Sequence, residues 1–319
     1  MGDQTPATPV VSAIICTYNR YDYLEKAVGS LLAQNCDPAS FEIIVVDNSP
    51  PGVERDAWRQ TFGDRAGLRY VTEDIPGLAN ARNVAVGLAR GEIVAFLDDD
   101  AEASPDWISA YIAAFASFGP SAQIAGGRID PVFEAARPSW LHDRLLTYFT
   151  IINWGDRPKI LDKSKWVAGA NNAFRRDAYL MAGGCNVALG RIGSGGSLMS
   201  NEETDLQDRI HAAGGVTIYV PDARVTHLVP AARVTREWIR RRIMWQAISD
   251  IVAGKPLDKP RDEAEKSLLD FIAAVPARER SLRAFFYDES NPDMFFWQTQ
   301  ALYELYSLTL CRGELFEEC

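Results

Sequence analysis

The stretch that decides the fold is Ile93-Val94-Ala95-Phe96-Leu97-Asp98-Asp99-Asp100, in which five apolar residues run directly into three aspartates. A short apolar run is typical of a parallel β-strand that is covered on both faces. Because side chains alternate along an extended chain, Asp98 and Asp100 are predicted to share one side while Asp99 faces the other. Neighbouring carboxylates are costly to bury without a cation between them. The stretch is therefore compatible with a divalent-metal site at a sheet edge or with a solvated acidic loop.

The composition of the chain is that of a globular protein and argues against several other classes of protein. The chain has 319 residues, 47% hydrophobic and 24% charged, which suits one large globular domain or a domain with an accessory region. A net charge of −10 argues against a nucleic-acid binder. The five cysteines are scattered and show no C-x-x-C spacing, so we expect neither a disulfide framework nor a zinc site. No apolar run approaches the ~20 residues of a membrane span, and no signal peptide is evident, so we expect a cytoplasmic protein that is at most peripheral to a membrane.

Apolar runs and helical spacing alternate through the first hundred residues. Strands are predicted at 10–17, 41–47 and 68–71, and helices follow the first strand and cover 78–88. This alternation predicts an α/β fold with a Rossmann-like, mostly parallel sheet flanked by helices. The first, second and fourth strands end in Thr17, Asp47 and Asp98, so we expect these side chains along one ligand-binding edge.

The later sequence is less regular. It predicts strands at 123–128, 166–171 and 216–220, a Gly- and Ser-rich loop at 190–200 that is a candidate lid, and helices at 233–253, 263–274 and 293–310.

Five short motifs together resemble the family 2 inverting glycosyltransferases of the GT-A fold, which use nucleotide-sugar donors. In chain order they are Cys16-Thr17-Tyr18-Asn19-Arg20, Asp47, Gly77-Leu78-Ala79-Asn80-Ala81-Arg82-Asn83, Asp98-Asp99-Asp100 and Asn201-Glu202-Glu203-Thr204-Asp205-Leu206. The resemblance implies a disordered leader at 1–9, a GT-A catalytic domain at 10–230 and a helical C-terminal region at 231–319. Within the catalytic domain it implies a nucleotide-binding half at 10–100 and an acceptor half at 101–230.

The resemblance also implies how the donor is held. Asp98 and Asp100 would bind Mn²⁺ or Mg²⁺ against the donor diphosphate, with Asp98 also able to contact the ribose and Asp99 partly structural. The residues implied to bind the donor are Thr17, Asn19, Arg20, Asp47, Asn80, Arg82, Asp98 and Asp99. A helix cap remains the alternative for Asn19, and a surface ion pair the alternative for Arg82.

Inversion needs a general base on the acceptor hydroxyl, and a carboxylate is the usual choice. The family's acid pair matches Glu202-Glu203, although its second position is more often Asp. We expect Glu203 as the base and Glu202 as second choice, whereas the alternative is that both acids merely begin a helix. His227 stands where a histidine of the family completes the metal site, and a hydrogen-bonded core histidine is the alternative.

The segment 166–176 resembles the acceptor-side strand of the family. Gly169, Asn171 and Asn172 are the expected residues of the acceptor or sugar pocket, with tight packing as the alternative. The Q-x-x-R-W element of processive synthases is absent, since Trp245-Gln246 is the nearest approach, and this favours a non-processive transferase.

Partners follow from the same resemblance. The donor would be of UDP, dTDP or GDP type and the acceptor a glycan or a lipid-linked sugar in surface-polysaccharide or glycolipid assembly. Residues 233–245 place arginines beside apolar residues, which predicts either contact with anionic lipid at the inner face of a membrane or packing within the protein. The aromatic residues of 294–310 would pack on the core or on a second subunit. Other functions compatible with the motifs are a metal-dependent sugar nucleotidyltransferase and a non-catalytic nucleotide-sugar-binding protein.

Overall fold

The computed structural model describes residues 8–310, except 64, 66, 194–195 and 257–258, so most of the predicted leader lies outside the described residues. The chain divides into two compact units. The first comprises Met1–Val132, Thr150–Gly196 and Glu202–Leu228, and the second comprises Phe133–Phe149, Ser197–Asn201 and Val229–Cys319. The second unit thus takes two short segments from the region that the sequence assigned to one catalytic domain.

The described residues of the first unit form one mixed sheet flanked by helices. Its strands are β1 (Val11–Thr17), β2 (Phe41–Asp47), β3 (Leu68–Thr72), β4 (Ile93–Leu97), β5 (Ala101–Ala103), β6 (Ala122–Phe133), β7 (Lys159–Ile160), β8 (Asn171–Arg175) and β9 (Val216–Val229). Its helices are α1 (Tyr21–Leu32), α2 (Val53–Phe62), α3 (Leu78–Leu88), α4 (Trp107–Phe118), α5 (Arg176–Met181) and α6 (Glu202–Ala212).

The strand order is β3-β2-β1-β4-β8-β6-β9-β5, with β7 beside β9. The first four strands are parallel, as predicted, whereas β8 runs antiparallel to both β4 and β6. This confirms the α/β class with its flanked sheet and adds an antiparallel half that begins at β8.

Alternating side chains of the parallel strands build a core on each face of the sheet. In β1, Ile15 joins the cluster that contains Leu24 of α1, whereas Ile14 joins the opposite cluster with Val86 of α3. All four side chains are almost fully buried. Fully burying such a side chain contributes about 1.5–3 kcal/mol, which explains why uninterrupted apolar runs specify these strands.

The second unit is helical in its described C-terminal part, with α7 (Arg236–Val252), α8 (Arg261–Ala274) and α9 (Pro292–Leu310). The α7 arginines largely contact their own unit. Arg236 lies over the Trp140 ring, and Arg240 donates to the Tyr287 carbonyl at 2.6 Å. These contacts support the packing alternative for residues 233–245, while lipid contact stays a prediction. None of the helices in the described part of the chain combines the length and apolarity needed to span a bilayer.

Two local predictions were wrong. The predicted strand at 166–171 is irregular up to residue 170, and the strand begins only at Asn171, where the buried amides replace the apolar pattern. Asn19 does not cap α1, because the residue before this helix is Arg20 and its side chain makes no capping bond. The three described cysteines, Cys16, Cys36 and Cys185, are free, and the other two lie outside the described residues.

Candidate active site

The carboxyl ends of β1, β2 and β4 form one edge of the sheet. Thr17 pairs in register with Asp47, and β4 lies on the other side of β1, so the three strand ends are neighbours. The structure therefore brings Thr17, Asp47 and Asp98 to a common edge, where open α/β sheets bind ligands.

The triple aspartate is divided between two environments. Asp99 accepts a hydrogen bond from Thr17 Oγ1 at 2.8 Å and pairs with Arg20 Nη1 at 2.8 Å. Burial raises the Asp99 pKa to about 7, against the lowering effect of Arg20. Asp99 is therefore a buried group that holds β1 and the following loop, and its contacts agree with a partly structural role.

The other two aspartates meet His227 of β9. One ligand atom from each of Asp98, Asp100 and His227 lies within 4.8 Å of the others. The imidazole Nε2 is 3.1 Å from Asp100 Oδ1, and the β5–β9 pairing sets His227 opposite Ala101. Two carboxylates and one imidazole are a donor set that suits Mn²⁺ or a similar divalent cation. The residues present thus fit the expected metal.

Arg20 also pairs with Asp100, at 2.6 Å between Nη2 and Oδ2, and it lies over the Tyr23 ring. Arg20 therefore forms ion pairs with two of the three aspartates, and its contact with the nucleotide stays a prediction.

Asp47 is completely buried and fully engaged within the protein. One carboxylate oxygen accepts hydrogen bonds from the hydroxyls of Tyr21 and Tyr70, and the other accepts from the Ser49 amide at 2.9 Å. Asp47 therefore stabilises the end of β2 through hydrogen bonds to Tyr21, Tyr70 and Ser49. The two tyrosines were missed by the sequence reasoning, since neither stands in a recognised motif.

Two asparagines predicted at the nucleotide lie on loops beside this edge. Asn19 is exposed, has a φ of 51°, and donates its backbone N–H to Ser49 Oγ at 2.8 Å. Asn80 is half-buried and its amide donates to the Ile75 carbonyl at 3.0 Å. Asn19 thus remains accessible to a ligand, whereas one amide hydrogen of Asn80 is used locally.

Arg82 of α3 connects the strand-end acids to the start of α6. It is 4% exposed, and its guanidinium lies 2.7 Å from Glu202 Oε1 and 3.6 Å from Asp98 Oδ1. Gly169 packs on the guanidinium so closely that a Cβ there would lie 2.2 Å from Nη2. Arg82 is therefore a buried ion-pair residue, and the surface pair considered as its alternative is wrong.

Glu202 and Glu203 begin α6, whose N-terminus stabilises negative charge. Burial, followed by the neighbouring Glu203 carboxylate, raises the Glu202 pKa to about 7, while Arg82 lowers it. Glu203 is half-buried, and its Oε2 atom is enclosed without a hydrogen-bond partner in the described structure. The Oε2 atom of Glu202 likewise lacks a partner there, so the two glutamates differ in that only Glu202 forms an ion pair among the described residues.

The residues expected at the sugar pocket have different environments. The Asn171 carbonyl oxygen accepts from Trp107 and Tyr111, and its amide nitrogen donates to the backbone of Arg128 and Ala223. These four bonds leave no amide group for a sugar hydroxyl. Asn172 is equally buried, but its Oδ1 has no partner among the described residues.

The candidate lid at 190–200 contains no helix or strand in its described residues. Gly190 lies against Glu202, since a Cβ there would be 3.2 Å from the Glu202 Cδ, and Gly193 lies near the Tyr18 hydroxyl. Part of the loop therefore borders the acid pair, and its closure as a lid stays a prediction.

A family model, Glycosyl transferase family 2, matches residues 12–181, more than half of the chain. The chain belongs to glycosyltransferase family 2. The matched span contains the triple aspartate, Arg82 and Asp47, and it ends before Glu202 and His227. The family resemblance inferred from the motifs is thus confirmed, and the chain is a glycosyltransferase.

Curated relatives extend the similarity beyond the matched span. The chain is 28% identical over 268 residues to the glucosyl-dolichyl phosphate glucuronosyltransferase of Haloferax volcanii, covering 82% of this chain and 83% of the relative. It is 29% identical over 241 residues to the succinoglycan biosynthesis protein ExoM of Rhizobium meliloti, covering 72% and 70%.

Among solved structures, the mannosyltransferase PcManGT from Pyrobaculum calidifontis, in complex with GDP-Man and Mn²⁺, matches with a TM-score of 0.60 at 20% identity. The match covers 98% of this chain and 88% of that one. At this identity the likeness shows the fold alone, and it agrees with the GT-A architecture predicted from the sequence.

Proposed function

We propose that this glycosyltransferase is inverting, metal-dependent and non-processive, and that it moves one sugar from a nucleotide-diphosphate sugar to an acceptor hydroxyl. One observation carries the proposal. The Asp98, Asp100 and His227 ligand atoms converge within 4.8 Å, and Arg82 joins this group to the Glu202-Glu203 pair. Arg82 thus contacts both an acid of the proposed metal group and the residue next to the candidate base, which supports the proposal.

The number of carboxylates in the candidate site supports the proposed metal dependence. Asp98, Asp99, Asp100 and Glu202 pair with the guanidinium groups of Arg20 and Arg82, and Glu203 adds a fifth carboxylate beside Glu202. Such an excess of carboxylate in a largely buried site favours a bound cation. When bound, Mn²⁺ or Mg²⁺ would neutralise the donor diphosphate and act as a Lewis acid on the leaving group.

The two glutamates of α6 would have separate roles in the transfer. Glu203 would take the proton of the acceptor hydroxyl as the acceptor oxygen bonds to the anomeric carbon and the bond from that carbon to the diphosphate breaks. Glu202, held by Arg82, would keep the start of α6 in position. The nucleoside diphosphate leaves from the opposite face of the sugar, so the configuration inverts.

The acceptor is proposed from the relatives. One is named for transfer to a glucosyl-dolichyl phosphate and another for succinoglycan biosynthesis. We therefore propose a lipid-linked or surface-polysaccharide glycan as acceptor, with a UDP, dTDP or GDP sugar as donor.

The first experiment screens donors and metal. Wild-type protein is heated with UDP-, dTDP- and GDP-sugars with and without Mn²⁺, because a ligand that binds the native state raises the melting temperature. Turnover is then followed as nucleoside diphosphate release with lipid-linked and soluble glycans, and the product anomer is assigned by NMR. Retention of configuration would refute inversion, and undiminished turnover in EDTA would refute metal dependence.

The second experiment tests the base. Glu203→Gln should lower turnover at least 100-fold while donor affinity stays within about threefold, because the base acts on the acceptor proton. Glu263→Gln, at an exposed position of α8, is the matched control and should be fully active. Near-normal turnover of Glu203→Gln would show that the base is another group.

A further inference from the structure

Thr150 has an unusual backbone. Its φ is 62°, and it is one of three non-glycine residues with positive φ in the described structure, the others being Asn19 and Asn201. Asparagine tolerates the left-handed region, whereas a β-branched residue there is a genuine outlier. Such outliers persist only where the surroundings hold them, and they concentrate at functional sites.

The Thr150 side chain contacts the proposed metal histidine. Its Oγ1 lies 3.2 Å from His227 Nδ1, while Nε2 on the other side of the ring lies 3.1 Å from Asp100 Oδ1. His227 is 3% exposed, so the surrounding protein rather than solvent sets the orientation of its ring. Thr150 thus contacts the nitrogen that faces away from the acids.

The chemistry of histidine ligands gives this contact a role. A histidine that binds a cation through Nε2 carries its proton on Nδ1, and a hydrogen-bond acceptor at Nδ1 fixes both that tautomer and the ring orientation. A threonine hydroxyl can accept this hydrogen bond and still donate its own hydrogen elsewhere.

We propose that Thr150 is a positioning residue, whose hydroxyl holds His227 with Nε2 directed at the cation shared with Asp98 and Asp100. The inference rests on the proposed metal dependence and deepens it. It also accounts for the strained backbone: glycine would adopt this φ at no steric cost but has no hydroxyl to offer.

Substitutions at this residue separate the hydroxyl from the backbone. Thr150→Gly removes both the strain and the hydroxyl, so the metal-free protein should melt at the same or a higher temperature while Mn²⁺ binds about 10-fold more weakly. Thr150→Ser keeps the hydroxyl and should bind Mn²⁺ within about threefold of wild type. Affinity is measured by electron paramagnetic resonance of free Mn²⁺, and melting by circular dichroism, so neither readout depends on turnover.

A double-mutant cycle tests whether Thr150 acts through His227. His227→Ala should weaken Mn²⁺ binding, and adding Thr150→Gly should weaken it no further, whereas a merely structural role would give additive losses. Wild-type affinity in Thr150→Gly, or additive losses in the cycle, would overturn the role of Thr150.

Asp100→Ala separates the two proposals. If wild type binds Mn²⁺ and Asp100→Ala does not, the metal site stands whatever Thr150→Gly shows. If wild type binds no Mn²⁺, or if Asp100→Ala leaves binding intact, both the metal site and the role of Thr150 are refuted.

Discussion

Replacing Arg82 by methionine tests the link between the strand-end acids and the acid pair of α6. Methionine keeps much of the apolar volume that packs near Phe96, but it removes the cation 2.7 Å from Glu202. Glu202 is 4% exposed, so it must then stay charged without a close partner or take up a proton. Removing one partner of a buried ion pair costs about 3–5 kcal/mol, and we expect that loss at pH 8.

The loss should depend on pH, with a sign fixed by Glu202. Its pKa lies at about 7 in the native protein, above the ordinary 4.5, although Arg82 lowers it. Without Arg82 the pKa rises further, so the native variant holds a proton that the unfolded chain releases, and stability falls as pH increases. At pH 5.5 the carboxyl is largely neutral in the folded variant, and the loss should shrink to about 1–2 kcal/mol for the missing hydrogen bond.

Urea unfolding at pH 5.5 and pH 8.0 measures both values. Arg82→Met with Glu202→Gln should recover much of the loss at pH 8, because no buried charge is then left unpaired. Arg261→Met is the control: its pair with Glu265 is about half exposed on both sides and should contribute at most about 1 kcal/mol. A loss for Arg82→Met that is equal at the two pH values, or no larger than that of the control, would refute the reasoning.

Two further substitutions probe the packing around the site. Gly169→Ala puts a Cβ 2.2 Å from the buried Arg82 guanidinium and should lower the free energy of unfolding in urea by about 1–3 kcal/mol and reduce turnover. The control is Gly29→Ala, on α1 with nothing within 4 Å, which should be neutral or slightly stabilising. Equal effects of the two substitutions would contradict a packing role for Gly169. Asn171→Leu leaves two buried aromatic donors unpaired and should cost about 2–4 kcal/mol without changing the donor KM of the folded fraction; a selective rise in KM would instead show that this amide binds sugar.

The parallel half of the fold was predictable from the sequence. Phe41–Asp47 and Leu78–Leu88 have the predicted bounds, because burial on both faces demands an unbroken apolar run and a helix packed on one face demands helical spacing. The antiparallel half was less predictable. In β8, Asn171 is buried with four side-chain hydrogen bonds to α4, β6 and β9, and Asn172 is equally buried. Strand β9 continues through Pro221, which interrupts any strand pattern.

The candidate site also combines features that the sequence predicts with features that it does not. Strand alternation predicted that Asp98 and Asp100 lie together; their carboxylates do converge with His227, although the three aspartates lie in a turn after β4 rather than in the strand itself. The pair between Arg82 and Glu202 joins residues 120 positions apart and could not be found from spacing. Thr150 gives no sequence signal at all, because its significance lies in a backbone angle and in one contact with His227.

Arg20 and Arg82 form ion pairs with four of the five carboxylates of the candidate site. Arg20 joins Asp99 to Asp100, and Arg82 joins Glu202 to Asp98, so each arginine ties one almost fully buried acid to one acid of the proposed metal group. Asp99 and Glu202 both have a raised pKa, since burial outweighs the neighbouring cation.

Both are therefore suited to holding an arginine in place rather than to binding substrate. Glu203 differs from them, because it forms no ion pair within 4 Å in the described part of the chain, whereas Glu202 pairs with Arg82. A base must exchange a proton with the acceptor without first breaking a buried ion pair, and of the two glutamates only Glu203 meets that condition. The arginines thus explain why the second acid of the pair, rather than the more deeply buried first, is the better candidate for the base.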